Sequence, residues 1–283
     1  MAWVAHFNQN TLYRWVGLAP QHSIATAIEQ HLNHRYRWRI TDASSTTLGS
    51  IGLGYQFADS GYRIDNEIRL NDIGKVNANL ALMANSLLGN STNKSNRSAL
   101  ITIETAFDDV MRLQGLEASG RAFGITGEAS ATINESGLKG TITIEQLGFE
   151  RAIEHPGIRP DVFQGVQFVS ALPANLQVGE RFSADAFSIT MTPPYVTRAT
   201  VDYFVRETIQ LPDFDQQTLL RVEQSKDNEI VAELVVDHYG VVWQMHHLST
   251  NWYLRLSRHW HADEQIYPPI ESLEDQAAKV QTQ

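Results

Sequence analysis

The chain has 283 residues, 42% of them hydrophobic, with 22 Lys+Arg against 32 Asp+Glu and no cysteine. Such a length buries a core without staples, and the composition excludes global disorder, thiol chemistry, thiolate metal sites and disulfides. The net charge of −10 repels phosphate backbones, so no nucleic-acid partner is expected.

Residues 1–34 form an aromatic segment followed by a short helix. Trp3, Phe7, Tyr13 and Trp15 come early and close together, and they are the candidate partner-binding residues. Residues 23–33 place Ile24, Ala27, Ile28 and Leu32 on one helical face, with Ser23 as the cap. No basic n-region followed by an apolar run marks a leader, and no stretch of about 18 apolar residues marks a membrane span.

From residue 35 the period changes to two. Residues 36–42, 47–59 and 61–72 read as a meander of strands joined by polar turns. Arg35, Arg37 and Arg39 alternate with Tyr36, Trp38 and Ile40, the pattern of a strand with one wet face. Residues 76–89 fit either a strand or a helix, and 90–99 read as a polar loop. Strand signals resume at 99–109. Residues 110–148 follow, where Gly115, Gly120, Gly124, Gly127, Gly137 and Gly140 predict turns and bulges.

Pro156, Gly157 and Pro160 make 154–163 the place where the β domain can subdivide. Beyond it, residues 176–247 alternate almost throughout, as in Ala199, Val201, Tyr203 and Val205 or Ile230, Ala232, Leu234 and Val236. One more strand follows near Trp252, Leu254 and Leu256. Residues 267–283 read as a flexible tail. The predicted fold is mainly β: a large twisted antiparallel sheet over 35–266, curved as far as a half-barrel, with one or two short helices.

Chemistry-bearing patterns are sparse. No glycine-flanked serine elbow is present, and the glycine-rich stretch near 120 lacks the helix and the Lys-Ser/Thr end of a phosphate loop. Asp108-Asp109 and Asp213/Asp215 sit at strand ends, where turn-forming aspartates belong. His259-x-His261 puts two imidazoles on one strand face, near His246 and His247 in sequence, but names no tetrahedral set. No catalytic residue, metal or cofactor is therefore assigned. Trp243, Trp252, Tyr253 and Trp260 are the candidate ligand-binding residues, because aromatics on a curved sheet can line a cavity as well as a core.

Between Val178 and Val241 a pattern emerges. It comprises Val178-Gly179-Glu180-Arg181-Phe182, Arg206-Glu207-Thr208-Ile209, Pro212-Asp213-Phe214-Asp215, Leu220-Arg221-Val222-Glu223 and Asp237-His238-Tyr239-Gly240-Val241. This order resembles a group of uncharacterised bacterial envelope domains. Their fold is similar to the curved antiparallel sheet of the lipoprotein carriers. The resemblance implies a periplasmic or envelope location peripheral to the membrane; a cytoplasmic one is the alternative, since no signal peptide is visible. It rests on turn and packing signals, not chemistry.

The function expected is therefore non-enzymatic: binding, as an accessory or structural subunit docked on a membrane-associated complex of envelope proteins. The first alternative is a carrier of a lipid, pigment or other hydrophobic ligand in the concavity of the sheet. The second is a hydrolase or metal-binding domain around the C-terminal histidines.

Overall fold

The computed structural model describes residues 24–76, 98–156, 160, 172–191, 194–210, 218–248, 250–262 and 264–265. Trp3, Phe7, Tyr13 and Trp15, the ambiguous stretch after residue 76, the carboxylates Asp213 and Asp215, and the C-terminal tail lie outside these residues. The chain falls into two compact units. The larger takes His31–Phe163 and Asn251–Gln283, the smaller Met1–Gln30 and Gln164–Thr250.

A short helix, α1 (Ile24–His31), leads in. The larger unit then lays down β1 (His34–Thr41), β2 (Thr47–Ala58), β3 (Gly61–Leu70), β4 (Ala99–Phe107), β5 (Leu113–Ala122), β6 (Ile125–Asn134), β7 (Gly137–Ile144) and β8 (Phe149–His155). Each pairs antiparallel with the next. The smaller unit contributes β9 (Arg181–Met191), β10 (Pro194–Ile209), β11 (Leu219–Lys226), β12 (Glu229–Val236) and β13 (Val242–His247), again a meander. The chain then re-enters the larger unit. β14 (Trp252–His261) pairs with β1, and β15 (Glu264–Gln265) with β14.

The mainly β, antiparallel architecture expected from the alternation is what the structure shows. Among the described residues β8 pairs only with β7, and β9 only with β10, so neither meander closes into a barrel.

Period-two sequence decides which side of each strand is dry. On β1, Tyr36, Trp38 and Ile40 are buried while Arg35, Arg37 and Arg39 face the other way. Leu53 and Tyr55 on β2 and Ile64 on β3 continue the dry face. In the smaller unit Val205, Val222, Leu234, Val236 and Val242 are fully or almost fully buried. Each such side chain stabilises by about 1.5–3 kcal/mol relative to exposure. Among the polar residues on the dry face, Asn66 stands out. Asn66 sits on the dry face between Leu53 and Ile103, is 4% exposed, and neither of its amide atoms has a hydrogen-bond partner in the protein.

The six glycines singled out in 110–148 divide into two groups. Gly124 and Gly137 have positive φ at turns, as expected. Gly115, Gly120, Gly127 and Gly140 instead lie inside β5, β6 and β7. A Cβ at Gly140 would stand 2.2 Å from the Ser130 carbonyl oxygen, so close strand approach accounts for that glycine.

Candidate functional site

The wet face of the larger unit carries an open cavity of about 1110 Å³. It is built by register. Because every strand from β14 to β7 pairs antiparallel with its neighbour, residues directly opposite one another form rows across the sheet. One row runs Trp260, Arg35, Gly54, Asp65, Glu104, Glu117, Ser130, Thr141. The next, two residues along each strand, runs Arg258, Arg37, Gly52, Glu67, Thr102, Ser119, Glu128, Thr143. All of these except Arg258 line the cavity.

Both rows have cations at the β14–β1 end and carboxylates from β3 onward, with a glycine on β2 between them. The glycines let long side chains reach across that strand. A Cβ at Gly54 would lie 3.3 Å from Arg35 Cγ, so the arginine stem lies close over that position. Across Gly52, Arg37 reaches Glu67 Oε1 at 3.3 Å. Glu67 also takes a bidentate pair of bonds from Arg69, at 2.8 and 3.0 Å. That hydrogen bonding holds the Glu67 carboxyl below its ordinary range. Asp65 behaves oppositely. Burial pushes its carboxyl up, and Glu104 beside it adds to the rise, against the pull of Arg63. Arg63 forms ion pairs with Asp65 at 3.0 Å and Glu104 at 3.4 Å, and the Gln56 amide donates to the other Asp65 oxygen. The arrangement holds charges of both signs, half-exposed, beside the hydroxyls of Ser119 and Thr102, which share a 2.7 Å hydrogen bond.

The four candidate aromatics separate. Trp260 ends the first row and lines the cavity. Tyr253 is exposed and opposes Thr41, while Trp252 is half-buried at the start of β14. Trp243 belongs to the smaller unit and is core there. Its Nε1 donates to Asp237 Oδ2 at 3.0 Å, while Asp237 Oδ1 accepts from the Tyr239 and Val241 amides at 2.9 and 3.0 Å. Asp237 thus clasps its own turn, and burial raises its pKa.

The histidines also separate. His246 and His247 lie on β13 of the smaller unit, where His247 Nδ1 bonds Thr250 Oγ1 at 3.0 Å. In the larger unit, His259 and His261 share the dry face with His34 and Tyr36. His34 Nδ1 and His259 Nε2 are 2.7 Å apart, and the His34 ring lies 4.7 Å from that of His261. His31 Nδ1 meets the Tyr36 hydroxyl at 2.7 Å. Burial, aided by their imidazole neighbours, lowers His34 and His259 to about 4. A pair this depressed is neutral near pH 7 and packs as aromatics. Among the described residues no three His, Asp or Glu side chains gather as a metal set. Asp108 is a turn former, accepting from the Val110 and Arg112 amides and from the Arg112 and Gln114 side chains.

Sequence reasoning placed Arg35, Arg37 and Trp260 on strands. It missed the carboxylates Asp65, Glu67, Glu104 and Glu117, whose alternation was visible but whose alignment needs the strand register.

A crystal structure of a DUF1089 family protein from Pseudomonas aeruginosa is similar over 68% of this chain and 87% of that one, at 12% identity and a TM-score of 0.31. No protein-family model matches the chain, and no curated protein matches it.

Proposed function

We propose that the protein works by binding, and that the wet face of the larger unit's sheet receives the ligand. The observation that carries this is the pair of aligned rows, in which basic residues near β1, carboxylates on β3 to β6, and hydroxyls beyond them line one cavity. Such a lining suits a polar ligand bearing hydrogen-bonding and charged groups. An apolar one would desolvate Arg63, Asp65 and Glu67 without replacing their water, which costs several kcal/mol per charged group. This supports a polar occupant over the lipid or pigment of the carrier reading. The likeness of residues 178–241 to envelope domains supports the cell envelope as the place of action, with the protein serving as a subunit of a membrane-associated assembly.

The test is native mass spectrometry of gently purified protein, beside a Ser119→Trp variant. Ser119 is exposed on β5 in the cavity wall, so an indole there occupies the site without disturbing the core. A polar adduct on the wild type that is missing from Ser119→Trp supports the reading. Equal adducts on both, or an adduct that is purely hydrocarbon, sink it.

A further inference from the structure

Most charged side chains of the cavity wall are matched within the sheet. Arg37 pairs with Glu67, and Arg63 with both Asp65 and Glu104. Three are left over. Among the described residues Arg35, Glu117 and Glu128 form no ion pair, and all three are exposed. Arg35 only pulls on the Asp65 carboxyl from a distance.

The leftover charges are sorted by sign to opposite ends of the cavity. Arg35 is on β1, flanked across the sheet by Trp260 and Gly54, so no carboxylate stands beside it. Glu117 is on β5 and Glu128 on β6. Glu117 opposes Ser130 and Glu128 opposes Ser119, which makes the two glutamates diagonal neighbours on one face. Glu104 also stands directly opposite Glu117. Like charges so placed weaken strand pairing, and a cation seated over them offsets that cost.

Arg35 and Glu117 belong to the same row, four strands apart. At about 4.8 Å per strand their backbones are about 19 Å apart. An extended peptide covers about 3.3 Å per residue, so about four to six residues bridge that gap. Between the two ends lie Gly52 and Gly54, which leave room above β2, and the hydroxyls of Thr102 and Ser119.

We infer that the cavity binds a short peptide by its two free ends, the terminal carboxylate on Arg35 and the terminal ammonium between Glu117 and Glu128. The inference rests on the reading of the wet face as the binding face and names the class of its ligand. A guanidinium takes a carboxylate through two parallel N–H···O bonds. An ammonium has donors enough to serve both glutamates, and the hydroxyls can bond the peptide amides between. A ligand charged at one end alone leaves the other end of the cavity unmatched.

The experiment is calorimetric titration of the full chain with pentaglycine in four forms: both ends free, N-acetylated, C-amidated, and blocked at both. Arg35→Gln, Glu117→Gln/Glu128→Gln, Ser119→Trp and Arg151→Gln go beside the wild type. Arg151 is exposed on β8 and opposes Ile142, on the other face. We expect the free form to bind the wild type most tightly. Blocking either end should weaken binding about fivefold or more, the scale of an exposed ion pair. Arg35→Gln should no longer distinguish acid from amide but should still prefer the free amine. Glu117→Gln/Glu128→Gln should do the reverse, and Arg151→Gln should match the wild type. Binding that ignores both blocks overturns the inference, as does a wild type that binds none of the four forms. A preference for one free end alone also overturns it, since the site is then a single-ion contact. So does free-form binding that Ser119→Trp leaves unchanged, because the peptide then lies elsewhere. If no peptide binds while the native adduct vanishes in Ser119→Trp, the peptide inference fails and the cavity reading stands. If no peptide binds and equal adducts remain, both fail.

Discussion

Trp243 donates its indole N–H to Asp237 Oδ2 at 3.0 Å, and both side chains are buried, at 3% and 2% exposure. The carboxylate spends its other oxygen on two backbone amides of its own turn. This joins the turn at 237–241 to the core of the smaller unit through one acid. Asp237→Ala leaves three donors without their acceptor, and hydrogen bonds to a charged group are worth about 1.5–3 kcal/mol each before relaxation. We expect a net loss of about 3 kcal/mol in urea unfolding. Asp237→Asn is expected to cost less, because its oxygen can keep the amides while its NH2 opposes the indole. Equal stability of Asp237→Ala and wild type would remove the latch.

Asn66 invites the opposite experiment. Its amide is buried on the dry face without a protein partner, and an unsatisfied buried polar group costs about 1–3 kcal/mol. Asn66→Leu, close in volume, is expected to raise stability by about 1–2 kcal/mol in the same assay. A loss instead would mean that the amide has a polar partner in solution.

The imidazoles of His34 and His259 set an acid limit. Both are lowered to about 4 in the folded protein, from 6.5. Below pH 6.5 the unfolded chain takes up these protons before the folded chain does. Stability therefore falls as pH drops from 6.5 toward 4 and is complete above 6.5. Asp65 and Asp237, whose pKa values are raised, act in the other direction at the acid end. The comparison must therefore be made against a variant. The melting temperature of the wild type should drop more between pH 7.5 and pH 4.5 than that of His34→Asn. Parallel curves would show that the pair titrates normally.

Gly52 separates binding from stability. A Cβ there meets Glu67 Cβ at 3.5 Å, an ordinary contact, so a small β-branched residue fits. Gly52→Thr should leave stability unchanged or raise it, within about 1 kcal/mol. It also places a side chain beneath the Arg37–Glu67 bridge. The native adduct should weaken while the unfolding midpoint holds. If both quantities fall together, Gly52 is needed for folding and says nothing of the site.

The strand alternation was legible in the residues themselves: Tyr36, Trp38 and Ile40 declare a dry face and their arginine neighbours a wet one. What alternation cannot say is which strand lies beside which. β1 meets β14 across more than two hundred residues, as in Tyr36 opposite His259. That pairing sets Trp260 beside Arg35 and Arg258 beside Arg37 at the basic end of the face. Nor was the irregularity at Ser257 readable. The register shifts between Arg37 and Trp38, whose partners are Arg258 and Leu256, and Ser257 Oγ donates to the Arg37 carbonyl at 2.8 Å. That extra residue is why Tyr253 and Trp260, seven apart, oppose the wet-face residues Thr41 and Arg35. Trp243 looked equivalent to Trp252 and Trp260 in sequence and is core in a different unit, because Asp237 takes its indole N–H inward.

The pairing of β1 with β14 also orders events in time. Residues 164–250 belong to the smaller unit and interrupt the larger one in sequence. β1 to β8 can zip up hairpin by hairpin as the chain emerges, but the far side of β1 waits for β14, which is synthesised more than two hundred residues later. The thermodynamic penalty for so long a loop is small, since each doubling of length adds about 0.6 kcal/mol. The delay falls on kinetics, because non-local strand pairing is slow. Until β14 arrives, β1 presents an open edge to the cell, and a nascent chain halted before Trp252 is the form most exposed to aggregation and to chaperones.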